Sequence, residues 1–494
     1  MNEQQSSYRQ IIKATSIFGG VQVFNIIIQI IRSKAIAILL GPAGMGIMGL
    51  LNSTLLLMGS LTSFGLKTSA VKHIAEANRN ENTENVSIAV SVLRRLVWIT
   101  GLLGMILTIM LAPWLSKLTF GNDNYTFPFI YISISLLFNQ ISSGQLVVLQ
   151  GLRKIKYLAN ANLTGAVIGL ASALPLYYLF GIDGIGPAII SVSLANMLRS
   201  WYFARKVKMV DVHVSLRTTF IEGKDMLIMG FMLSLSSLIT TGTSYILRAY
   251  ISNLSGIEQV GLYSAGFAIV NSYVGLIFSA MRTDYYPRLS EVACDNSGAR
   301  KLMNQQGELT VLMLAPILMF FFVYINLIII ILYSNKFTPI DGMIKWAALG
   351  LYFKAASWSI GFIFLAKGAS HIFLFSELSA NAYILLFNIF GFKFFGLSGL
   401  GISFLISNIL LLFQVFVIAK LKYEFKFYTG FYRIFLVQLT LGLTCFLIVN
   451  FLNAGFSYIL GTLLIIVSLY FSYFEINKRI DIKALLLKYF KSKR

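Results

Sequence analysis

Fourteen stretches of about 20 mostly apolar residues follow one another along the chain, each long enough to cross the hydrocarbon core of a bilayer. They run approximately 17–39, 44–66, 93–113, 127–149, 159–181, 184–204, 227–251, 261–283, 309–333, 343–366, 372–391, 396–419, 433–452 and 456–474. Inside lipid a backbone must satisfy its own N–H and C=O groups, and long unalternating apolar runs do so as helices. Composition agrees: of 494 residues, 57% are hydrophobic and 12% charged, against about 45–50% and about 25% in soluble domains. A soluble enzyme, a secreted disulfide scaffold and a DNA-binding domain are excluded. The first stretch is too long for the apolar region of a signal peptide and is read as an uncleaved span.

The chain carries 40 Lys and Arg against 19 Asp and Glu, a formal charge of +21. In a membrane protein such an excess marks cytoplasmic loops rather than nucleic-acid binding. With the N-terminus inside, 32 of the 40 basic residues fall in the inside segments and their ends. Three, Lys117, Lys336 and Lys393, fall outside, and five lie within spans. Both termini are therefore expected in the cytoplasm. The tail from Glu475 spaces Ile482, Leu485, Leu486, Tyr489 and Phe490 helically between lysines, the pattern of an interfacial helix on the inner leaflet. Cys294 and Cys445 fall in a loop and a span and are not expected to pair; His73, His213 and His371 are scattered without metal-ligand spacing. No GxxxxGK[ST] motif is present, so energy is expected from gradients or from consumption of product, and no cofactor or metal is expected.

The two halves echo one another. Gly181-Ile-Asp-Gly184-Ile-Gly186 recurs 215 residues later as Gly396-Leu-Ser-Gly399-Leu-Gly401. The same offset maps Gly46 onto Gly261 and Lys67 onto Arg282. Spans 1–6 then match spans 7–12. Because six is even, the copies are parallel repeats about an axis along the membrane normal. The expected fold is all-α and polytopic, with two six-helix repeats around a central cleft and two accessory C-terminal helices. The corresponding regions are an N-terminal lobe at 1–206, a cytoplasmic linker at 207–226, a C-terminal lobe at 227–419, accessory spans at 420–474 and a basic interfacial tail at 475–494.

Charges at membrane depth usually face a cavity or a partner. Span 1 places Gln22, Asn25, Gln29 and Arg32 on one helical face, and span 7 places Ser234, Ser237, Thr241, Ser244 and Arg248 on another. Arg248 is one position from the repeat equivalent of Arg32. Such stripes can be interhelical hydrogen bonding; two symmetric stripes, each ending in Arg, favour a cation-lined cleft. Lys354 lies mid-span with Trp358 and Gly361 on its face, and Glu377 lies one turn from Asn381. Lys354 and Glu377 could form a buried ion pair, or act separately as an anion contact and an ion-coupling carboxylate. Lys345 is expected as an interface anchor. A cleft with Arg32, Arg248 and Lys354 suits an anion, and Arg matches phosphate geometry. Trp358 offers a face of the kind that stacks on sugar rings.

Leu39-Leu-Gly-Pro-Ala-Gly-Met-Gly46, Tyr333-Ser-Asn-Lys-Phe-Thr338, and the stretch from Lys354 through Leu365-Ala-Lys367 to Glu377 carry a resemblance. The sequence resembles the O-antigen or enterobacterial common antigen flippases (Wzx-type), in the polysaccharide transporter branch of the multidrug/oligosaccharidyl-lipid/polysaccharide (MOP) exporter superfamily. The resemblance implies alternating access between two six-helix lobes. It implies movement of a polyprenyl-pyrophosphate-linked oligosaccharide from the cytoplasmic to the periplasmic leaflet of a bacterial inner membrane, for surface polysaccharide synthesis. It implies that Arg32, Arg248, Lys354 and Glu377 are cavity residues, with H+ or Na+ as candidate coupling ions and a polysaccharide polymerase and chain-length regulator as candidate partners. Rival readings are a cation-coupled drug antiporter of the same superfamily, a lipid II flippase, and a membrane polymerase or glycosyltransferase. Short outer loops without a catalytic constellation argue against the last.

Overall fold

The computed structural model describes residues 3–79, 83–207, 212 and 214–479. The expected interfacial helix beyond Arg479 and His213 lie outside the described residues. Among the described residues every regular element is a helix. Ten helical stretches there are long and apolar enough to cross a membrane, eleven if one bent pair is a single span. The protein is a multi-pass membrane protein.

The described chain divides into two compact units. The first runs to Ser264 and includes Leu332–Ser334; the second comprises Ala265–Ile331 and the residues from Asn335 onward. In the first unit, α1 (Glu3–Leu39) packs on α2 (Gly41–Thr62) and α7 (Ile155–Phe180). The short α3 (Leu66–Arg79) and the long α4 (Thr83–Phe120) pack on α6 (Ile134–Gly151), which follows α5 (Thr126–Ile132); α6 also packs on α8 (Ile185–Arg205). Next comes α9 (Leu216–Ser255), whose halves Ile221–Met232 and Ser234–Ser255 meet at 47°. It packs along α2, α3 and α4. Then α10 (Ile257–Ala268) leads through a π-helical turn at Ile269–Tyr273 into α11 (Gly275–Glu291).

The second unit continues with α12 (Asn296–Leu332), α13 (Asp341–Ala366), α14 (Ser370–Tyr423), α15 (Thr429–Phe451) and α16 (Ala454–Arg479). Two of the ten stretches reverse internally, so the ten make twelve crossings. Ile155–Arg205 turns back at Gly181 and Ser370–Tyr423 at Gly396. Together with α9 and the α10–α11 pair, these account for the spans expected from hydropathy.

Both reversals are built alike. Gly181 has φ +55° and Gly396 φ +57°, in the left-handed region open to glycine. Three residues on, Gly184 lies against the carbonyl of Leu176 and Gly399 against that of Gly391, so neither position has room for a side chain. Leu176 and Gly391 are themselves 215 residues apart. The glycine motif that suggested the repeat is thus the element that folds each span pair into a hairpin.

The repeats also meet reciprocally within the first unit. Gly46 lies against the Ile257 carbonyl, and Gly261 lies against the Pro42 carbonyl. Gly49 faces Ser264. Pro42 and Ile257, like Gly49 and Ser264, are one offset apart. Residue i meets the equivalent of j while j meets the equivalent of i, which is the signature of two-fold contact. Parallel repeats about such an axis require this pattern.

The accessory helices α15 and α16 are joined by Gln438, fully buried, which exchanges hydrogen bonds with Ser468 (2.7 Å) and Ser472 (2.9 Å). At the end of α16, the buried Glu475 carboxylate takes Arg433 and Arg479, each at 2.6 Å. Arg479 also holds Glu308 of α12 at 2.8 Å. A buried carboxylate is tolerable when it is paired and hydrogen-bonded in this way.

Candidate substrate cleft

In the first unit, a cavity of about 550 Å³ opens between α1, α2, α3, α6, α8 and α9. Arg32 supplies its charge from α1 and Lys67 from the start of α3; Asn52, Asn139, Gln140 and Asn196 supply amides, and Ser237 and Thr241 of α9 supply hydroxyls. A second space of about 250 Å³ shares Lys67, Asn139, Ser143 and Asn196 with the first and adds Asn25, Asn162 and Ser200. Among the described residues neither lining contains a carboxylate.

The half-buried Arg32 donates to the Tyr177 hydroxyl at 3.4 Å. Its Nε is buried without a hydrogen-bond partner among the described residues. A guanidinium held by one neutral group, in a wall with no acid, keeps most of its donors for a ligand.

The polar stripes of α1 and α9 divide. From α1, Arg32 lines the larger space and Asn25 the smaller, whereas Gln22 and Gln29 are exposed. From α9, Ser237 and Thr241 line the cavity. Arg248 folds back on its own helix, bonding the Ser244 hydroxyl and, at 3.2 Å, the Ser244 carbonyl. Its guanidinium lies 5.5 Å from the Tyr263 ring, and its Nε is buried without a hydrogen-bond partner among the described residues.

The second unit has a cavity of about 290 Å³ lined by Arg282, Lys354, Trp358, Gly361, Ser376 and Glu377, among others. The Lys354 ammonium sits 5.8 Å from the Phe278 ring and 5.6 Å from the Phe404 ring, over two negative π faces. Trp358 packs on Phe278, Tyr285 and Phe362 at centroid distances of 5.5, 5.6 and 5.1 Å. Lys354 and Glu377 share this cavity, yet no ion pair within 4 Å joins them among the described residues. Asn381 donates to the Glu377 backbone carbonyl at 2.9 Å. Lys345 is no interface anchor: it is folded onto Asp341 at 3.1 Å with its side chain 10% exposed, because a turn of helix places the two together at the start of α13.

Sequence reasoning overlooked Lys67, Asn139 and Asn196 as cleft residues. Their signal was present: Lys67 had been matched to Arg282, which lines the second unit's cavity, and Asn139 stands in a polar run, Asn139-Gln140-Ile141-Ser142-Ser143, inside an apolar span. Among the described residues no cluster of His, Cys, Asp and Glu could hold a metal ion.

Comparison with known proteins fits this geometry. The family model described as polysaccharide biosynthesis protein matches residues 35–341. The chain belongs to that family. Among relatives, it is 22% identical over 367 residues to the lipid III flippase of Escherichia coli (strain K12), covering 72% of this chain and 85% of the relative. It is 24% identical over 381 residues to a protein of Shigella flexneri named as an O-antigen transporter, covering 75% and 88%. Among solved structures, the lipid II flippase MurJ in an inward closed conformation superposes with a TM-score of 0.72 at 14% identity, covering 95% of this chain and 99% of that one. An inward-facing MATE family transporter of the MOP superfamily gives 0.66 at 14% identity, covering 82% and 94%. The fold is thus shared with a lipid II flippase and with a multidrug resistance transporter.

Proposed function

We propose that this protein is a flippase that moves a polyprenyl-pyrophosphate-linked oligosaccharide from the cytoplasmic to the periplasmic leaflet of a bacterial inner membrane, for surface polysaccharide assembly. The observation that carries the reading is the carboxylate-free lining around Arg32 and Lys67, rich in amides and hydroxyls. The named activities of the relatives support it. A pyrophosphate leaving water needs its hydration replaced, since an unpaired anion in a low-dielectric medium is prohibitively costly. Arg32 supplies bidentate donors for that purpose and Lys67 a point charge. Arg248 and Lys354 are the further cations assigned to the path, and Trp358 a stacking face for sugar. Residues 1–206 and 227–419 act as the lobes that rock about the axis through Gly46 and Gly261, and the polyprenyl tail stays in lipid.

A membrane potential positive outside favours outward passage of an anion by about 2.3 kcal/mol per charge per 100 mV. Glu377 is the candidate carboxylate for H+ or Na+ coupling, and a polymerase that consumes the flipped product is the candidate partner. Both termini lie in the cytoplasm in this reading. A drug-cation antiporter with this fold would need acidic groups in the cleft, and among the described residues the two cavities that share Lys67 show none.

Depletion of the protein in its host tests the assignment. A lipid-linked oligosaccharide should accumulate on the cytoplasmic leaflet while surface polysaccharide falls. Unchanged lipid-linked pools with increased sensitivity to cationic drugs would overturn it.

A further inference from the structure

The two smaller cavities, one in each unit, are the same pocket built twice. At the offset of 215 residues, Lys67 pairs with Arg282, Asn139 with Lys354, Ser143 with Trp358 and Asn162 with Glu377. All eight residues line their own unit's cavity. A gap left by chance packing would not recur at equivalent positions of both repeats, so the pocket is a feature of the duplicated fold.

The copies differ in chemistry. In the second unit, three of these positions hold an ammonium, an indole and a carboxylate. In the first they hold two amides and a hydroxyl, and the flanking Asn196 takes the place that Leu411 fills in the other. The side-chain amides of Asn25, Asn139 and Asn196 make no hydrogen bond among the described residues. Each such amide presents two N–H donors and a carbonyl acceptor to the space. Left without a partner at membrane depth, those groups cost free energy, which a matching ligand recovers.

We propose that the first unit's copy is a subsite for one uncharged sugar ring. A pyranose carries hydroxyls that both donate and accept, the complement of an amide lining. A space of about 250 Å³ suits one ring rather than a long glycan. The pocket shares Lys67, Asn139 and Asn196 with the cavity that holds Arg32. A diphosphate at Arg32 therefore delivers its directly attached sugar to this subsite. The assignment rests on the flippase reading and adds to it: the protein recognises the lipid-proximal sugar, and the charged second copy does not take part in that recognition.

The experiment measures binding to the purified full-length protein of two probes, polyprenyl diphosphate and polyprenyl diphosphate carrying one neutral hexose. Wild type should prefer the hexose-bearing probe. Asn162→Ala with Asn196→Ala should lower that preference roughly tenfold, the worth of about two neutral hydrogen bonds. Asn196→Gln, which keeps the amide, should retain part of it. A preference undiminished in the double variant would overturn the subsite. Because the preference is a ratio within one preparation, partial misfolding does not mimic the result. Failure of wild type to bind either probe more tightly than the uncharged polyprenol would instead refute the flippase reading on which the subsite rests.

Discussion

Gly46 and Gly261 each lie against the backbone carbonyl that stands four residues before the other, Gly46 on Ile257 and Gly261 on Pro42. The positions are related by the repeat, so one contact is made twice about a two-fold axis. At either glycine a methyl group would press on backbone rather than on a flexible side chain.

Gly46→Ala and Gly261→Ala should therefore be equivalent in effect. Each should destabilise by about 1–3 kcal/mol through overpacking. The double change should cost less than the sum, since the first already parts α2 from α10. Thermal denaturation of the four proteins in detergent checks this. Full additivity would mean that the two glycines do not share one crossing.

Arg32 and Arg248 stand in different surroundings, yet each should tolerate Lys better than Ala. Arg32 bonds the neutral Tyr177 hydroxyl and faces the cavity, so Arg32→Lys should keep partial transport and Arg32→Ala should lose it by roughly tenfold or more. Arg248→Lys should likewise keep part and Arg248→Ala very little. The measurement is polysaccharide assembly normalised to membrane-inserted protein. Wild-type output per inserted molecule from Arg248→Ala would mean that its bonds to Ser244 are its whole role, and would remove it from the substrate path.

Lys354 and Glu377 line the same cavity. Glu377 is the candidate coupling carboxylate, so Glu377→Gln should still insert and lose the response of transport to an imposed pH or sodium gradient. If instead the two charges depended on each other for stability, Glu377→Gln would express poorly and the further change Lys354→Met would rescue it, because one buried charge would no longer lack its partner. Gradient-dependent transport in that double variant would refute the coupling role.

Span number, the hairpin turns and the repeat were legible because they rest on local rules: about 20 apolar residues per crossing, and glycine where φ must be positive or a backbone must come close. The cleft was half legible. Arg32 and Asn25 stood out as polar residues on an apolar helix. Asn139, Asn162 and Asn196 did not, since an amide in a span serves helix packing as readily as a ligand. Lys67 looked like one more positive charge at an inner end, and only tertiary packing turns it toward Arg32's cavity. The ties from Glu475 to Arg433 and from Arg479 to Glu308 span 42 and 171 residues, distances over which no periodicity carries information. Nor does hydropathy report that α9, the first helix of the second repeat, packs along α2, α3 and α4.

The most direct measurement is leaflet exchange in vesicles containing only this protein, with a polyprenyl-diphosphate-linked oligosaccharide placed on one face. The account predicts exchange that quickens when the receiving side is made positive, and that falls to the protein-free rate when Arg32→Ala and Lys67→Ala are combined. Exchange unaltered by the double change, or export of an organic cation in its place, would contradict the central claim.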